Sequence, residues 1–543
     1  MKKLLYLFLL PVWTLCGTEP ILRVGVTTDT HIGQTAESCN HVRKAFEIFK
    51  DQKADLIVHC GDLADKHYPA GYRHYRNIFN EVFGDRKPAE LFVYAGHDAM
   101  GFKNVDEAYA IMKKEIGATN DLYDKRVLKG YPFLVFRQVF DPVRYENDIA
   151  QAEKDFPGKP IFVFNHEPPL NTTYHSLVWG SAKVRKILEK HPRVVQFSGH
   201  AHSSVRDERN IWQGKFTSIS AGCLQRWGGL LTGSPTFGKR ESDGVLLMEI
   251  YPEKLIIRRF EYTTGREYGA DKRWIVPLPF DEKTAPYSPE RRYAEVPAPE
   301  FPAGAAIRQS WQNLGLNIQF PEASDGVAGY RIALDQKTPE GWHHFARRDI
   351  HSGFYLHRKP ANQTVLLDRG YFESGKTYRI TVTPVTFWQK GGKALEAEFT
   401  APQFPEANVV FQSLDPMKEI PFQVIRKNTD VPVKDGFYQL KTSSNLQIPE
   451  SIWEGPAKTS RFRLTVDFEM RQTETQPWVI MVLDPRNNAC VSTRIGTVPG
   501  RSGKMRYSLE FPKHAADARY VIQFRYGAPA QVNFSKVRVE RTR

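Results

Sequence analysis

Acidic and histidine side chains recur at the ends of apolar, strand-like runs in the N-terminal part of the chain. Asp29 and His31 close the run that begins at Leu22. The later members of this series are Asp62, Asp65, His97, Asp98, His166, His200 and His202. Carboxylates and imidazoles are the side chains with which proteins hold catalytic metal ions. Their supply from many strand ends favours a two-metal hydrolytic centre.

The elements that would position these side chains alternate between strand-like and helix-like segments from residue 21 to about 290. The apolar runs cover 22–28, 56–60, 91–94, 133–140, 161–164 and 194–197. Between the first two runs, Val42, Phe46 and Phe49 recur at the spacing of a helix that faces a core. This alternation predicts an α/β fold with helices covering the sheet faces. Because ligands in such folds bind beyond the carboxyl ends of strands, we expect the Asp and His side chains to converge there.

The C-terminal half reads as β-rich modules. A proline-rich linker at 286–304 precedes strand patterns without helices at 303–403. That segment resembles a fibronectin type III domain through Gly329-Tyr330, the alternation around Tyr378 and the pair Gly391-Gly392. Residues 404–543 predict a jelly-roll-like β-sandwich. Trp453 and Trp478 there are either core residues or the lining of a sugar site.

Five motifs follow one another in the N-terminal segment: Asp29-x-His31, Gly61-Asp62-x-x-Asp65, Gly96-His97-Asp98, His166 and Gly199-His200-x-His202. Each motif alone is weak, but their order and shared position at strand ends are specific. Together they resemble the calcineurin-like metallophosphoesterases over residues 21–265. The resemblance implies a layered α/β metallophosphoesterase domain at 21–290, ahead of the two all-β sandwich domains.

The resemblance also implies roles for individual residues. A first metal would be held by Asp29, His31, Asp62 and His202, and a second by Asp62, His166 and His200. Two cations about 3.5–4 Å apart need the bridging carboxylate of Asp62 because they repel one another. The ions would be divalent or trivalent Zn, Mn or Fe. They would lower the pKa of a bridging water, and the resulting hydroxide would attack phosphorus. His97 would protonate the leaving oxygen, and Asp98 would orient its ring.

The third motif departs from the family, whose pattern has an asparagine where this chain has Gly96. Since glycine offers no ligand, either water or a displaced neighbour such as Asn165 fills the gap, or the second metal binds weakly. Losing a neutral amide is less damaging than losing a carboxylate or an imidazole, and those ligands are all present. We therefore expect an active hydrolase with a weakened second site.

The segment around Arg226 and Trp227 follows a further strand and is predicted to rim the site. Arg226 would contact a phosphate oxygen, and Trp227 would stack on the leaving group. The alternative is a solvated arginine beside a packed tryptophan. The substrate would be a phosphorylated small molecule or polymer, whose identity no motif specifies.

The N-terminus predicts export. Residues 1–18 combine a basic start, a short apolar run and small or polar residues, as in a secretory signal peptide. Cys16 is an alternative lipid-anchor site, although Leu15 does not suit a lipoprotein signal. No later segment is apolar enough to cross a membrane, so the mature chain is expected to be secreted or periplasmic. Cysteines 39, 60, 223 and 490 are scattered and predict neither a disulfide framework nor a zinc knuckle.

The net charge of +14 is spread along the chain without a basic block, so it specifies no nucleic-acid partner. A secreted phosphoesterase acting on a phosphomonoester or phosphodiester is the leading hypothesis. One alternative is an extracellular binding or adhesion protein on a degenerate phosphoesterase core, with glycan contact through 404–543. The other is an extracellular nuclease, for which binding would depend steeply on salt.

Overall fold

The fold is described by a computed structural model for residues 19–66, 69–225, 243–424, 429–440, 443–457, 459–472, 477–485, 489–497, 503–526 and 530–542. The predicted signal peptide at 1–18 lies outside these ranges. No helix in the described ranges is both long and apolar enough to cross a membrane.

The apolar runs of the N-terminal domain form two facing sheets. The strands are β1 Leu22–Thr27, β2 Leu56–His59, β3 Ala89–Phe92, β4 Tyr123–Leu128, β5 Tyr131–Phe136, β6 Ile161–Phe164, β7 Val194–Ser198, β8 Ile211–Gln213, β9 Thr217–Ser220, β10 Gly244–Ile250, β11 Lys254–Glu261, β12 Arg266–Glu267 and β13 Trp274–Pro277. Among described residues, the first sheet runs β12-β11-β10-β1-β2-β3, with β13 beside β11. The second runs β4-β5-β6-β7-β9-β8. Val24, Val58 and Phe162 belong to the buried cluster between the sheets.

The helices of this domain are α1 Ser38–Asp51, α2 Pro69–Phe83, α3 Gly96–Ala99, α4 Val105–Ile116, α5 Pro142–Asp155, α6 Ser176–Trp179, α7 Ala182–Leu188 and α8 Pro289–Glu295. Helices α1, α2 and α4 pack on the first sheet and α5 and α7 on the second, while α3, α6 and α8 lie in connecting segments. Phe46 and Phe49, which the helical spacing singled out, are buried on α1. Phe46 meets Tyr75 and Phe79 of α2 edge-on. The predicted α/β layering is confirmed.

Parallel pairing brings the site-bearing strand ends to one edge of the domain. Strands β1, β2 and β3 are parallel in the first sheet, and β5, β6 and β7 are parallel in the second. The loop after each of these six strands therefore emerges at a carboxyl edge, where the side chains of both sheets can meet.

The second domain is a β-sandwich of a three-stranded and a four-stranded sheet within the described residues. Its strands are β14 Arg308–Gln312, β15 Gly315–Pro321, β16 Gly329–Thr338, β17 Gly341–His351, β18 Asn362–Asp368, β19 Thr377–Val385 and β20 Leu395–Thr400. Tyr330 and Tyr378 are fully buried in its core. The backbone N–H of Glu373 donates to the Tyr378 hydroxyl at 2.8 Å, which fixes the bend before β19.

The third domain pairs two larger antiparallel sheets, each of six strands within the described residues. Its elements are β21 Val409–Ser413, α9 Pro416–Glu419, β22 Phe422–Val424, β23 Thr429–Asp430, β24 Val433–Lys434, β25 Phe437–Leu440, β26 Ser444–Leu446, β27 Arg461–Gln472, β28 Pro477–Asp484, β29 Ala489–Thr497, β30 Gly503–Pro512, β31 Val521–Tyr526 and β32 Ala530–Arg541. Trp453 is only 1% exposed and packs against Phe462 and Tyr520. It is a core residue and offers no face to a sugar.

Polar contacts join the first two domains directly behind the loop of His200 and His202. Arg206 donates to the carbonyls of Phe354 and Leu356 at 3.1 and 2.8 Å. The hydroxyl of Tyr355 donates to Asp207 at 2.7 Å, and Arg209 donates to the same carboxylate. Asp207 is buried, so these hydrogen bonds replace the water that its charge would otherwise need.

Replacing Tyr355 by phenylalanine is expected to destabilise this contact. The change removes one hydrogen bond from the buried Asp207 carboxylate, which corresponds to about 1–2 kcal/mol in the free energy of unfolding. Urea titrations of wild type and variant measure the difference, with Tyr293→Phe at a half-exposed tyrosine as the matched control. Equal stability of the two phenylalanine variants would contradict the role given to the Tyr355 hydroxyl.

Candidate metal centre

The proposed ligands lie in the loops that follow four of the parallel strands. Asp29 and His31 follow β1, Asp62 follows β2, and His166 follows β6. His200 and His202 follow β7. All six are partly or fully buried, and they form two adjoining clusters at the edge between the sheets. The sequence prediction that these side chains converge matches this arrangement.

The first cluster consists of Asp29, His31 and His202, whose ligand atoms lie within 4.8 Å of one another. Asp29 Oδ1 is 3.0 Å from His202 Nε2 and 3.7 Å from His31 Nε2. The two imidazoles face each other through these nitrogens at 3.3 Å. The other oxygen of Asp29 accepts from Thr28 Oγ1 and from the His200 backbone N–H, at 2.7 and 2.9 Å. These bonds orient Oδ1 into the cluster.

The second cluster consists of Asp62, His166 and His200, again within 4.8 Å. His166 Nε2 is 3.1 Å from Asp62 Oδ2 and 3.2 Å from His200 Nδ1. His166 Nδ1 donates to the Cys60 carbonyl at 2.8 Å, the backbone contact that commonly fixes a metal-binding imidazole. Asp62 Oδ2 is also 3.9 Å from His31 Nε2, so Asp62 lies between the two clusters.

The backbone at this site is held in a conformation that side chains other than glycine seldom adopt. Positive φ angles, from 40° to 65°, occur at Asp29, His31, Asp62, His200 and His202. Each such residue costs about 1–2 kcal/mol, and such strain concentrates where function requires it. The backbone of Gly199 also approaches Asp29 closely, since a Cβ on Gly199 would lie 2.4 Å from Asp29 Oδ2. The chain is therefore shaped to bring these ligands together.

The buried carboxylates of the site favour positive charge on the groups around them. Burial disfavours a charged imidazole, yet the Asp29 and Asp65 carboxylates outweigh burial and raise the pKa of His31 to about 9. In the same way, Asp62 raises the pKa of His166 to about 10. Burial and the neighbouring His166 lower the pKa of His200 to about 3.

The carboxylates show the complementary effect. Burial favours a neutral carboxyl, but the imidazoles of His166 and His202 hold the pKa values of Asp62 and Asp29, respectively, well below the usual range. The buried carboxylates therefore favour positive charge at both clusters. The donor set, with orienting bonds on Asp29 and His166, fits two metal ions of the Zn, Mn or Fe type.

His97 lies beside the clusters and is oriented by Asp65. Its Nδ1 is 3.0 Å from Asp65 Oδ1, and its backbone N–H donates to Asp62 Oδ1 at 3.0 Å. Its side chain is 30% exposed. Burial, together with the charge of His31, lowers the pKa of His97. One imidazole nitrogen is thus held by a carboxylate while the ring remains accessible.

The geometry differs here from the prediction that Asp98 orients the His97 ring. Asp98 is fully buried, and its Oδ1 accepts from the Ala64 backbone N–H at 3.0 Å. Burial and the nearby Asp62 charge raise the pKa of Asp98 to about 7. Asp98 therefore ties the His97 turn to the Asp62 loop, and Asp65 is the carboxylate at the ring. The motif spacing identified both carboxylates, Asp65 and Asp98, but it did not show which of them faces the imidazole.

Asn165 does not fill the space at Gly96. It is buried, its Oδ1 accepts from Gln196 and Tyr145, and its Nδ2 donates to the Glu167 carbonyl. The side chain against Gly96 is Gln138, which the sequence did not single out. The only signal for Gln138 was that it is a polar residue within the apolar run 133–140, two residues beyond Phe136, where the strand ends.

The predicted substrate contacts Arg226 and Trp227 lie outside the described residues. On the described side of the site, Trp179 meets the His200 ring edge-on, with centroids 5.5 Å apart. Trp179 ends α6, whose preceding residue His175 contacts the carbonyl of Ala201 at 3.2 Å. The 167–181 loop therefore rims the second cluster.

A family model matches the part of the chain that carries both clusters. Residues 22–204 match the family model of calcineurin-like phosphoesterases. No curated protein matches the sequence. Among solved structures, the chain is similar to a dimetal phosphatase from Danio rerio, with 10% identity over 48% of this chain and 99% of that one and a TM-score of 0.35.

Two further structures are similar to the chain. The first is a purple acid phosphatase from yellow lupin (Lupinus luteus) seeds, with 13% identity over 47% of this chain and 53% of that one and a TM-score of 0.35. The second is a CBM22 tandem domain from Paenibacillus barcinonensis, with 7% identity over 45% of this chain and 93% of that one and a TM-score of 0.18. The chain spans about half the length of the lupin enzyme.

Proposed function

We propose, from the match of residues 22–204 to the family model of calcineurin-like phosphoesterases, that the protein is a secreted enzyme that hydrolyses a phosphomonoester or phosphodiester with two metal ions. The single observation that carries the proposal is the joining of two ligand clusters through one buried carboxylate. Asp62 Oδ2 lies 3.1 Å from His166 and 3.9 Å from His31. A carboxylate between two sets of imidazoles suits a pair of closely spaced cations.

Asp29, His31 and His202, with Asp62, would hold one ion, and Asp62, His166 and His200 would hold the other. When bound, the ions supply an acidified water as nucleophile and neutralise charge on the phosphoryl oxygens. The protein keeps the ligands in place through hydrogen bonds from Thr28 to Asp29 and from His166 to the Cys60 carbonyl. Burial of Asp29, Asp62 and His166 excludes water that would otherwise compete for the ions.

His97 would give a proton to the leaving oxygen. Asp65 holds Nδ1 of the ring, which leaves Nε2 as the nitrogen available to a substrate. The backbone bond from His97 to Asp62 fixes the ring relative to the bridging carboxylate. A proton donor fixed beside the phosphoryl site is what a poor leaving group requires.

Removing metal is expected to abolish hydrolysis reversibly. Protein treated with a chelator and dialysed should lose turnover of 4-nitrophenyl phosphate and bis(4-nitrophenyl) phosphate, and Mn²⁺ should restore it. The two substrates separate monoesterase from diesterase activity. Metal analysis of the restored protein should give two ions per chain. An absence of turnover with Zn²⁺, Mn²⁺ and Fe²⁺ alike would overturn the proposal.

Export is supported by the basic and apolar pattern of residues 1–18. Expression of the full chain in a bacterial host, followed by mass spectrometry of the exported protein, tests it. We expect a mature N-terminus close to residue 19, without lipid on Cys16. Full-length protein retained in the cytoplasm would contradict export. Glycan contact through 404–543 stays a prediction.

A further inference from the structure

The side chain of Gln138 occupies the space next to Gly96, beside the proposed proton donor. The Gly96 backbone N–H donates to Gln138 Oε1 at 2.5 Å. Gln138 Nε2 donates to Glu167 Oε1 at 3.0 Å, and the Gln138 backbone N–H donates to the Tyr94 carbonyl at 2.9 Å. These contacts fix the amide with its oxygen towards the Gly96–His97 turn and its nitrogen towards Glu167.

Glycine at position 96 is what admits this amide. A Cβ built on Gly96 would lie 2.9 Å from Gln138 Oε1, closer than real Cβ contacts come. A side chain at position 96 and the amide of Gln138 therefore compete for one space. In this chain Gln138, in the loop after β5, fills that space. The amide can lie there because position 96 has no side chain.

The same turn holds the bridging carboxylate. The adjacent N–H groups of Gly96 and His97 donate to Gln138 Oε1 and to Asp62 Oδ1, at 2.5 and 3.0 Å. Neighbouring backbone groups of one turn thus hold the amide oxygen of Gln138 and the bridging carboxylate. An amide oxygen has two lone pairs, so Oε1 can accept from Gly96 and still bind a cation.

The second cluster has the smaller set of candidate ligands. Asp62, His166 and His200 supply three side chains there, one of them shared with the first cluster. Zn, Mn and Fe sites take about four to six ligands, and oxygen donors suit the Mn and Fe ions. Gln138 lies beside this cluster, since Glu167, which holds its amide, directly follows His166.

We infer that Gln138 supplies the amide oxygen of the second metal site, in place of a side chain at position 96. The inference rests on the proposed two-metal function and assigns one further residue to it. It also changes the expectation drawn from Gly96 alone: the second site is completed from another strand and is not intrinsically weak.

Calorimetric titration of metal-free protein with Mn²⁺ tests the inference without relying on turnover. Gln138→Ala and Gln138→Leu, of which the second keeps most of the volume, should each weaken the second Mn²⁺ by about 10–100-fold and leave the first unchanged. Melting temperatures in chelator report whether the variants fold. Gln151→Ala, at an exposed glutamine of α5, is the control and should bind as wild type does.

Moving the amide back to position 96 gives the sharper test. Gly96→Asn alone should clash with Gln138 and weaken the second ion, whereas Gly96→Asn combined with Gln138→Ala should restore it. An unchanged second Mn²⁺ affinity in both single Gln138 variants would overturn the inference, whatever their activity. Wild type that binds two Mn²⁺ but hydrolyses no phosphate ester would overturn the proposed function and leave the ligand inference standing. Wild type that binds no second Mn²⁺ would overturn both.

Discussion

Asp62→Asn is expected to lower kcat/KM by about 10³-fold or more, equivalent to about 4 kcal/mol of transition-state stabilisation. Both metal ions should also bind more weakly, so the variant should retain less than one ion per chain after dialysis. Metal analysis and turnover of 4-nitrophenyl phosphate in excess Mn²⁺ measure the two effects separately.

The physical reason is the position of Asp62 between the clusters. Asparagine keeps the shape of the side chain and removes the one negative charge that contacts imidazoles of both clusters among the described residues. Two cations at close range then repel without compensation. The charge of Asp62 is strongly favoured in the fold, because His166 holds its carboxyl pKa well below the usual range despite burial.

The matched control is Asp85→Asn, which removes the same charge from an exposed position. It should leave metal content and turnover as in wild type. If Asp62→Asn retained two tightly bound ions and lost only turnover, Asp62 would act on the substrate and not as a bridge. Normal turnover in Asp62→Asn would remove the basis of the two-metal proposal.

Much of the fold could be predicted from the sequence because the signal is local. Apolar runs such as 161–164 must be buried strands, and the spacing of Val42, Phe46 and Phe49 must be a buried helix face. The run at 133–140 was read too long, since the strand ends at Phe136. Arg137 and Gln138 interrupt the apolar run. Polar residues also occur inside a strand that is buried on one face only, so the sequence does not show that the strand has ended.

The site was predictable where residue type alone determines chemistry. Asp29, His31, Asp62, His166, His200 and His202 were identified because their motifs follow one another in a specific order at successive strand ends, although each motif alone is weak. The pairing of side chains across loops was not predictable. Asp65 precedes His97 in the sequence and Asp98 follows it directly. Only the turn geometry shows that Asp65 is the carboxylate at the ring.

Gln138 was missed for a related reason. Gln138 follows a strand of the second sheet and Gly96 follows a strand of the first, so no spacing in the sequence links them. Their contact depends on how the two sheets pack. A glycine in a ligand motif thus predicts a compensating side chain from a facing strand end; Asn165 was the predicted candidate, and Gln138 is the side chain found there.

His97→Ala is expected to lower kcat by about 10²–10⁴-fold for an alkyl phosphate, the range usual for loss of a general acid. Hydrolysis of 4-nitrophenyl phosphate should fall much less, because nitrophenolate leaves without a proton. Both metal ions should remain, since the His97 side chain is not in either ion's predicted ligand set. The ratio of the two rate losses, together with metal analysis, measures the role directly.

His74→Ala, at an exposed histidine of α2, is the control and should match wild type with both substrates. Asp65→Asn should reproduce part of the alkyl-phosphate defect, because the His97 ring loses the carboxylate 3.0 Å from its Nδ1. Equal rate losses with both substrates in His97→Ala would mean that the residue positions the phosphoryl group and gives no proton. Loss of a metal ion in that variant would instead place His97 among the ligands, beside His31 and Asp65, whose ligand atoms it can approach within 4.8 Å.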